Sequence, residues 1–257
     1  MLTPPEIARS LLAAGESKAR LSLGKMLLLA ILAGAYIALA GVGATAAAVT
    51  VESGSLAKLL SACVFPAGLS MVILAGSELF TGNCLMVMAL LERRITPAQL
   101  LRNWLTVYLG NAVGGAAVAA LAVYSHTASL FGDGLARSMV SIAESKAALG
   151  FGDAFLRGVL CNFLVCLAVW MAAASKRAEG KVIALFFPIL LFVLCGYEHC
   201  IANLYYLPAG AFAAAEYGME TTLTLAGCLK NLAAVTLGNL AGGAALGVGY
   251  RFAYFKE

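Results

Sequence analysis

Two octapeptides place polar groups where an apolar run has no ordinary use for them. GSELFTGN (76–83) carries Glu78, Thr81 and Asn83, and GYEHCIAN (196–203) carries Glu198, His199 and Asn203. A hydroxyl and an imidazole in apolar surroundings suit the holding of a small anion or the handling of a proton. The triplet Glu198-His199-Cys200 invites a hydrolytic reading, but adjacent residues on a helix or strand point in different directions. Neither HExxH nor GxSxG occurs. With two histidines, and seven cysteines that form no CxxC pair, no zinc or iron site is expected. We therefore expect no enzyme, no metal and no cofactor.

The elements that must position these residues are membrane helices. The chain is 62% hydrophobic and 12% charged, against about 25% charged in soluble domains. Six spans fit, over roughly 26–49, 59–91, 100–124, 155–174, 182–215 and 222–250. The second and fifth are longer than the about 20 residues a plain span needs, and each holds one octapeptide. Placing the N-terminus in the cytoplasm puts Arg9, Lys18, Arg20, Lys25, Arg93, Arg94, Lys176, Arg177, Lys181, Arg251 and Lys256 inside. Glu52, Asp133, Glu144, Glu216 and Glu220 then fall outside, with Lys58, Arg137 and Lys146. Both termini are expected in the cytoplasm. Residues 1–21 read as an amphipathic helix on the cytoplasmic membrane surface. Thr3 and Glu6 have capping-box spacing, Pro4 suits the first helical position, and Ile7, Leu11 and Leu12 share a face.

The chain also repeats itself. Gly76, Glu78 and Asn83 recur as Gly196, Glu198 and Asn203, 120 residues later. NWLTVYLGNAVGGA (103–116) recurs as NLAAVTLGNLAGGA (231–244), 128 residues later. Three spans per half make the halves cross in opposite directions, which predicts an inverted repeat with a shared site at mid-depth. The repeats are expected over about 22–124 and 151–250, within one transmembrane domain covering 1–257. Broken helices explain the octapeptides, because irregular backbone in a bilayer survives only inside protein or beside water. Glu78 and Glu198 are expected to bond freed backbone N–H groups, and Asn83 and Asn203 to cap the helices that restart. Pro66 and Pro188, upstream in each half, are expected to bend the chain. The restarting N-termini carry partial positive charge and suit a small anion.

With the octapeptides and RGVLCNFLVCLAVW (157–170), the whole chain resembles the formate/nitrite transporter family of bacterial anion channels. The resemblance implies an all-α, aquaporin-like fold and a homopentamer with one pore per protomer in the inner membrane. It places an Ω-shaped loop at 76–83 and an S-shaped loop at 196–203. It assigns His199 as the central pore histidine and Thr81 as the loop threonine. Lys146 becomes the anion-attracting lysine and Asn162 the helix-four asparagine. Apolar constrictions fall at Phe65 and Phe192 on one side, and at Leu69, Leu79, Phe80 and Val165 on the other. The implied partners are a small monovalent anion (formate first, then nitrite or hydrosulfide), membrane lipid and identical subunits, with no nucleic acid.

These residues imply a route. Moving a bare anion through an apolar ring costs on the order of tens of kcal/mol in the Born limit, and a neutral acid far less. Lys146 and the helix ends draw the anion in, Thr81 and His199 hold it, and a proton from His199 or from water lets it leave as the weak acid. Low external pH then favours uptake. A water-type channel for neutral solutes is the alternative, although Asn83 is followed by Cys84 rather than the Asn-Pro-Ala such channels carry.

Overall fold

Long runs of Leu, Ala and Val, closed by Gly, Ser and Pro, leave the helix as the form that satisfies every backbone group without water. The computed structural model describes residues 1–255, and their regular structure is helical throughout. Lys256, counted above among the inner bases, lies outside them. The α-helices run α1 (Pro4–Ala19), α2 (Leu23–Ala48), α3 (Gly54–Val64), α4 (Pro66–Ala75), α5 (Phe80–Asn83) and α6 (Val87–Leu91). They continue as α7 (Pro97–Tyr124), α8 (Gly134–Ala148), α9 (Phe151–Ala173), α10 (Ala178–Leu194), α11 (Cys200–Glu216) and α12 (Leu225–Phe255).

Five helical stretches are long and apolar enough to cross a membrane: Leu23–Ala48, Gly54–Ala75, Pro97–Tyr124, Phe151–Ala173 and Leu225–Phe255. Leu28, Leu105, Leu109, Leu121, Leu156 and Phe187 stand exposed on the outside of the single chain, as side chains facing lipid or a neighbouring subunit do. Inside, α2 lies along α7 and α9 along α12. Glycine makes both contacts possible. A Cβ on Gly114 would run into the Ile31 carbonyl oxygen, and one on Gly242 into that of Val159.

Several local expectations are corrected. The two prolines act unequally: Pro66 opens α4 after a turn at Phe65, whereas Pro188 lies within α10 without ending it. Lys146, placed between the third and fourth expected spans, lies on a helix of its own, α8. In α1, Glu6 accepts a hydrogen bond from the Thr3 backbone N–H at 2.7 Å, as the capping box requires. The apolar face of α1 is not left for lipid. Ile7 packs with Cys84, Leu85 and Met88, and Leu12 with Met86 and Ala89.

Candidate functional site: two helix breaks and the cavity beside them

The chain leaves the helix twice, at 76–79 and at 195–199, shorter interruptions than the octapeptides suggested. Gly76 (φ 77°) and Gly196 (φ 69°) make the turn out, in the left-handed region where a side chain is strained. The chain then runs extended for a few residues and restarts as α5 and α11, with Leu79 and His199 at the N-cap positions.

The same scaffold holds each break. The Glu78 N–H donates to the Leu29 carbonyl, and the Glu198 N–H to that of Arg157. Asn111 Oδ1 accepts the first N–H of α5, from Phe80, at 3.0 Å. Asn239 Oδ1 accepts that of α11, from Cys200, at 2.8 Å. The Nδ2 groups tie back as well: Asn111 donates to the Ala30 and Glu78 carbonyls, and Asn239 to those of Gly158 and Glu198. Sequence reasoning missed this pair, although both asparagines stand in its matched Leu-Gly-Asn triplets. Asn83 and Asn203, expected as caps, lie inside the restarted helices. Asn83 Nδ2 donates to Glu78 (2.7 Å) and Asn103 (2.9 Å), and Asn203 Nδ2 to Glu198 (2.7 Å) and Asn231 (2.8 Å). The glutamates therefore accept from side chains instead of freed backbone N–H groups. Each also meets a lysine. Lys18 Nζ lies 2.6 Å from Glu78, and Lys146 Nζ 2.9 and 3.0 Å from the two oxygens of Glu198.

That pairing exposes a longer repeat than the one read above. Lys146 stands 128 residues after Lys18, and GESKARLSLG (15–24) answers AESKAALGFG (143–152). The correspondence thus takes in α1 and α8, outside the expected repeat boundaries.

The two restarts meet. His199 Nε2 lies 2.9 Å from Thr81 Oγ1, and both residues are buried. His199 Nδ1 accepts from the Ala202 N–H at 3.1 Å. A nitrogen that accepts carries no proton, so this network assigns the neutral ring with hydrogen on Nε2, donated to Thr81. The Thr81 hydroxyl hydrogen is thereby turned away from the ring. The N–H groups of Phe80, Cys200 and Ala202 are already taken by side chains, so the helix ends offer fewer open donors than the sequence suggested.

A cavity of about 610 Å³ reaches His199 from the Lys146 side. Phe65 and Phe192 meet edge to face at 5.6 Å between ring centres, and both line it. Lys58, Lys146 and Arg157 also line it, with Glu198 as the one carboxylate. Leu69, Leu79, Phe80 and Val165 do not line this cavity; they are buried in one cluster with Phe65 and Phe192. Asn162 stays off the cavity too. Its Nδ2 donates to the backbone carbonyls of Asn239 (2.7 Å) and Thr81 (3.3 Å).

A sequence model of the formate/nitrite transporter family matches residues 5–253. A probable formate transporter of Methanothermobacter thermautotrophicus is 37% identical, over 99% of this chain and 98% of its own. The formate channel FocA of Haemophilus influenzae is 39% identical, over 86% and 83%. Among solved structures, an FNT family ion channel superposes with a TM-score of 0.87 at 31% identity, covering 96% of this chain and 98% of its own. A pentameric formate channel with formate bound gives 0.80 at 32%, covering 91% and 98%. The chain belongs to the formate/nitrite transporter family, whose members are multi-pass membrane channels and transporters rather than enzymes.

Proposed function

We propose that this protein passes a small monovalent weak-acid anion, formate first, through a pore in each protomer. The observation that carries the reading is the Thr81–His199 contact, made where the two helix breaks meet at the inner end of the cavity. Formate, nitrite and hydrosulfide share the class; the formate relatives put formate first. The matched hydrogen bonds of the two breaks support six spans arranged as two inverted halves. The formate-bound neighbour supports a homopentamer, and the base-rich segments support an inner-membrane protein with both termini cytoplasmic.

The geometry supports a division of labour. Phe65 and Phe192 form the apolar constriction on the cavity side; Leu69, Leu79, Phe80 and Val165 form the one beyond Thr81. Between them the Thr81 hydroxyl, oriented by the His199 Nε2–H, donates to the anion. Asn162 holds the Thr81 backbone in place. His199 is poorly placed as a net proton source. Giving up its Nε2 hydrogen would leave an anionic ring, because Nδ1 faces the Ala202 N–H and not a proton donor. Water therefore relays the proton from the bulk solution, so that no hydroxide is left in the pore, and the species that leaves through the apolar ring is the neutral acid.

Purified protein in liposomes, offered formate, nitrite, hydrosulfide and acetate at mildly acidic and at neutral pH, tests this. Saturable formate uptake that rises with acidity supports it. Equal passage of all four makes the pore an unselective anion channel. Fast water flux with no anion flux transfers the fold to a neutral-solute channel. His199→Asn separates the two proton sources: uptake that stays acid-stimulated at a reduced rate supports water, whereas loss of the pH dependence alone returns the role to His199.

A further inference from the structure

The cation to which the family resemblance assigned anion attraction is already neutralised. Lys146 bonds both oxygens of Glu198, its side chain is 15% exposed, and its ammonium sits 5.3 Å from the centre of the Tyr206 ring. The cavity's other two cations differ. Lys58 on α3 and Arg157 on α9 are both exposed, and among the described residues neither charged group has a hydrogen-bonded or ion-paired partner. Glu198 is the one carboxylate that lines this space, and Lys146 already holds it. Three cations around one carboxylate leave the mouth with excess positive charge, and that excess resides on Lys58 and Arg157. Ser61 on the Lys58 helix, and Ser138 and Ser141 on α8, line the same space and add hydroxyl donors. A guanidinium presents a planar fork that matches a carboxylate or nitrite, and an ammonium adds a point charge beside it.

This feature belongs to one face only. The residue 128 positions before Arg157 is Leu29, although the two backbone carbonyls do the same work at their breaks. The 122-residue spacing of Pro66 and Pro188 pairs Lys58 with Gly180.

We infer that Lys58 and Arg157 form an outer binding site for a small planar monovalent oxyanion, which concentrates it at the Lys146 mouth ahead of the Phe65–Phe192 constriction. Lys146 is then a positioning residue that holds Glu198 and the second break. The inference rests on the proposed anion pathway.

The test is sided formate flux in liposomes as a function of concentration and salt, with Lys58→Gln, Arg157→Gln and the double variant. Formate offered to the Lys146 mouth at low ionic strength should show a KM about tenfold higher in the double variant, with the maximal rate little changed. High salt should erase the difference, because screening weakens the attraction in the wild type to the level of the variant. Formate offered to the opposite mouth should show no difference. Lys58→Arg, which keeps the charge, should stay close to wild type and so guards against a folding artefact, whereas Arg157→Lys, which keeps the charge but loses the planar fork, should fall between wild type and Arg157→Gln. A double variant with wild-type KM at both salts, or a change equal from both mouths, overturns the inference. A wild-type protein that carries no anion is a separate failure: it removes the proposed function and this site with it.

Discussion

The two helix breaks share a frame and differ in what they hold. Each has a left-handed glycine, an asparagine from a neighbouring helix on the first N–H of the restart, and a glutamate between an asparagine and a lysine. Inside that frame the first break carries Leu79 and Thr81 where the second carries His199 and Ile201. What repeats is the machinery for leaving and re-entering a helix in an apolar medium. What does not repeat is the pair that touches across the middle, one member from each break. Duplication points to support, and departure from duplication marks the pair on which the proposed pathway rests.

The largest effect should separate the two lysines. Lys146→Met leaves the Glu198 carboxylate unpaired at a side chain only 7% exposed, and should lower stability by about 3–5 kcal/mol. Glu78 is equally buried, at 7% exposed, but Lys18 is 29% exposed against 15% for Lys146, so water already screens that pair more and Lys18→Met should cost less, about 2–3 kcal/mol. Thermal unfolding in detergent compares them, and equal losses would mean that the greater exposure of Lys18 does not weaken its pair. Next come the asparagines. Asn111→Leu and Asn239→Leu each strand a buried N–H and remove a bond to each of two carbonyls, and should cost about 2–3 kcal/mol apiece, alike to within experimental error. A large difference between them would break the shared frame.

The smallest effect concerns Glu144, 128 residues after Glu16 but differently engaged. Glu144 accepts from the Thr222 N–H and from the Thr221 and Thr222 hydroxyls, which hold its carboxyl below the usual carboxylate range. Glu16 instead faces Arg20 and Arg94. A lowered folded-state pKa adds stability above the ordinary carboxylate pKa, and that stability is lost as pH falls through the folded value. Glu144→Gln should therefore flatten the acid limb of a stability-against-pH curve slightly and leave neutral behaviour nearly unchanged. An unaltered acid limb would mean that the tether between α8 and the start of α12 contributes nothing.

Much of this was legible in the chain. Glu78 and Glu198 in overlong apolar runs announced the breaks, because a charge at membrane depth needs a structural reason. The matched spacings announced that the breaks were paired. Asn111 and Asn239 were also in view, yet spacing shows which residues are duplicated and not which N–H they reach across space. Asn83 and Asn203 were nearer in sequence and so took the capping role on paper. The α1–α8 correspondence was hidden because ESKA is short, polar and placed in segments read as surface or connection. Lys58 and Arg157 stayed hidden for another reason: their significance depends on Lys146 being neutralised, which only the folded contact with Glu198 reveals.

The contact between the breaks is where this account stands or falls, and Thr81→Val addresses it most directly. Valine keeps the shape of threonine and removes the hydroxyl that His199 orients. Formate flux into liposomes, measured beside Ile201→Val at the matching position, should drop to the protein-free background for Thr81→Val and stay near wild type for Ile201→Val. Wild-type flux through Thr81→Val would show that the anion passes without that hydroxyl and would contradict the account.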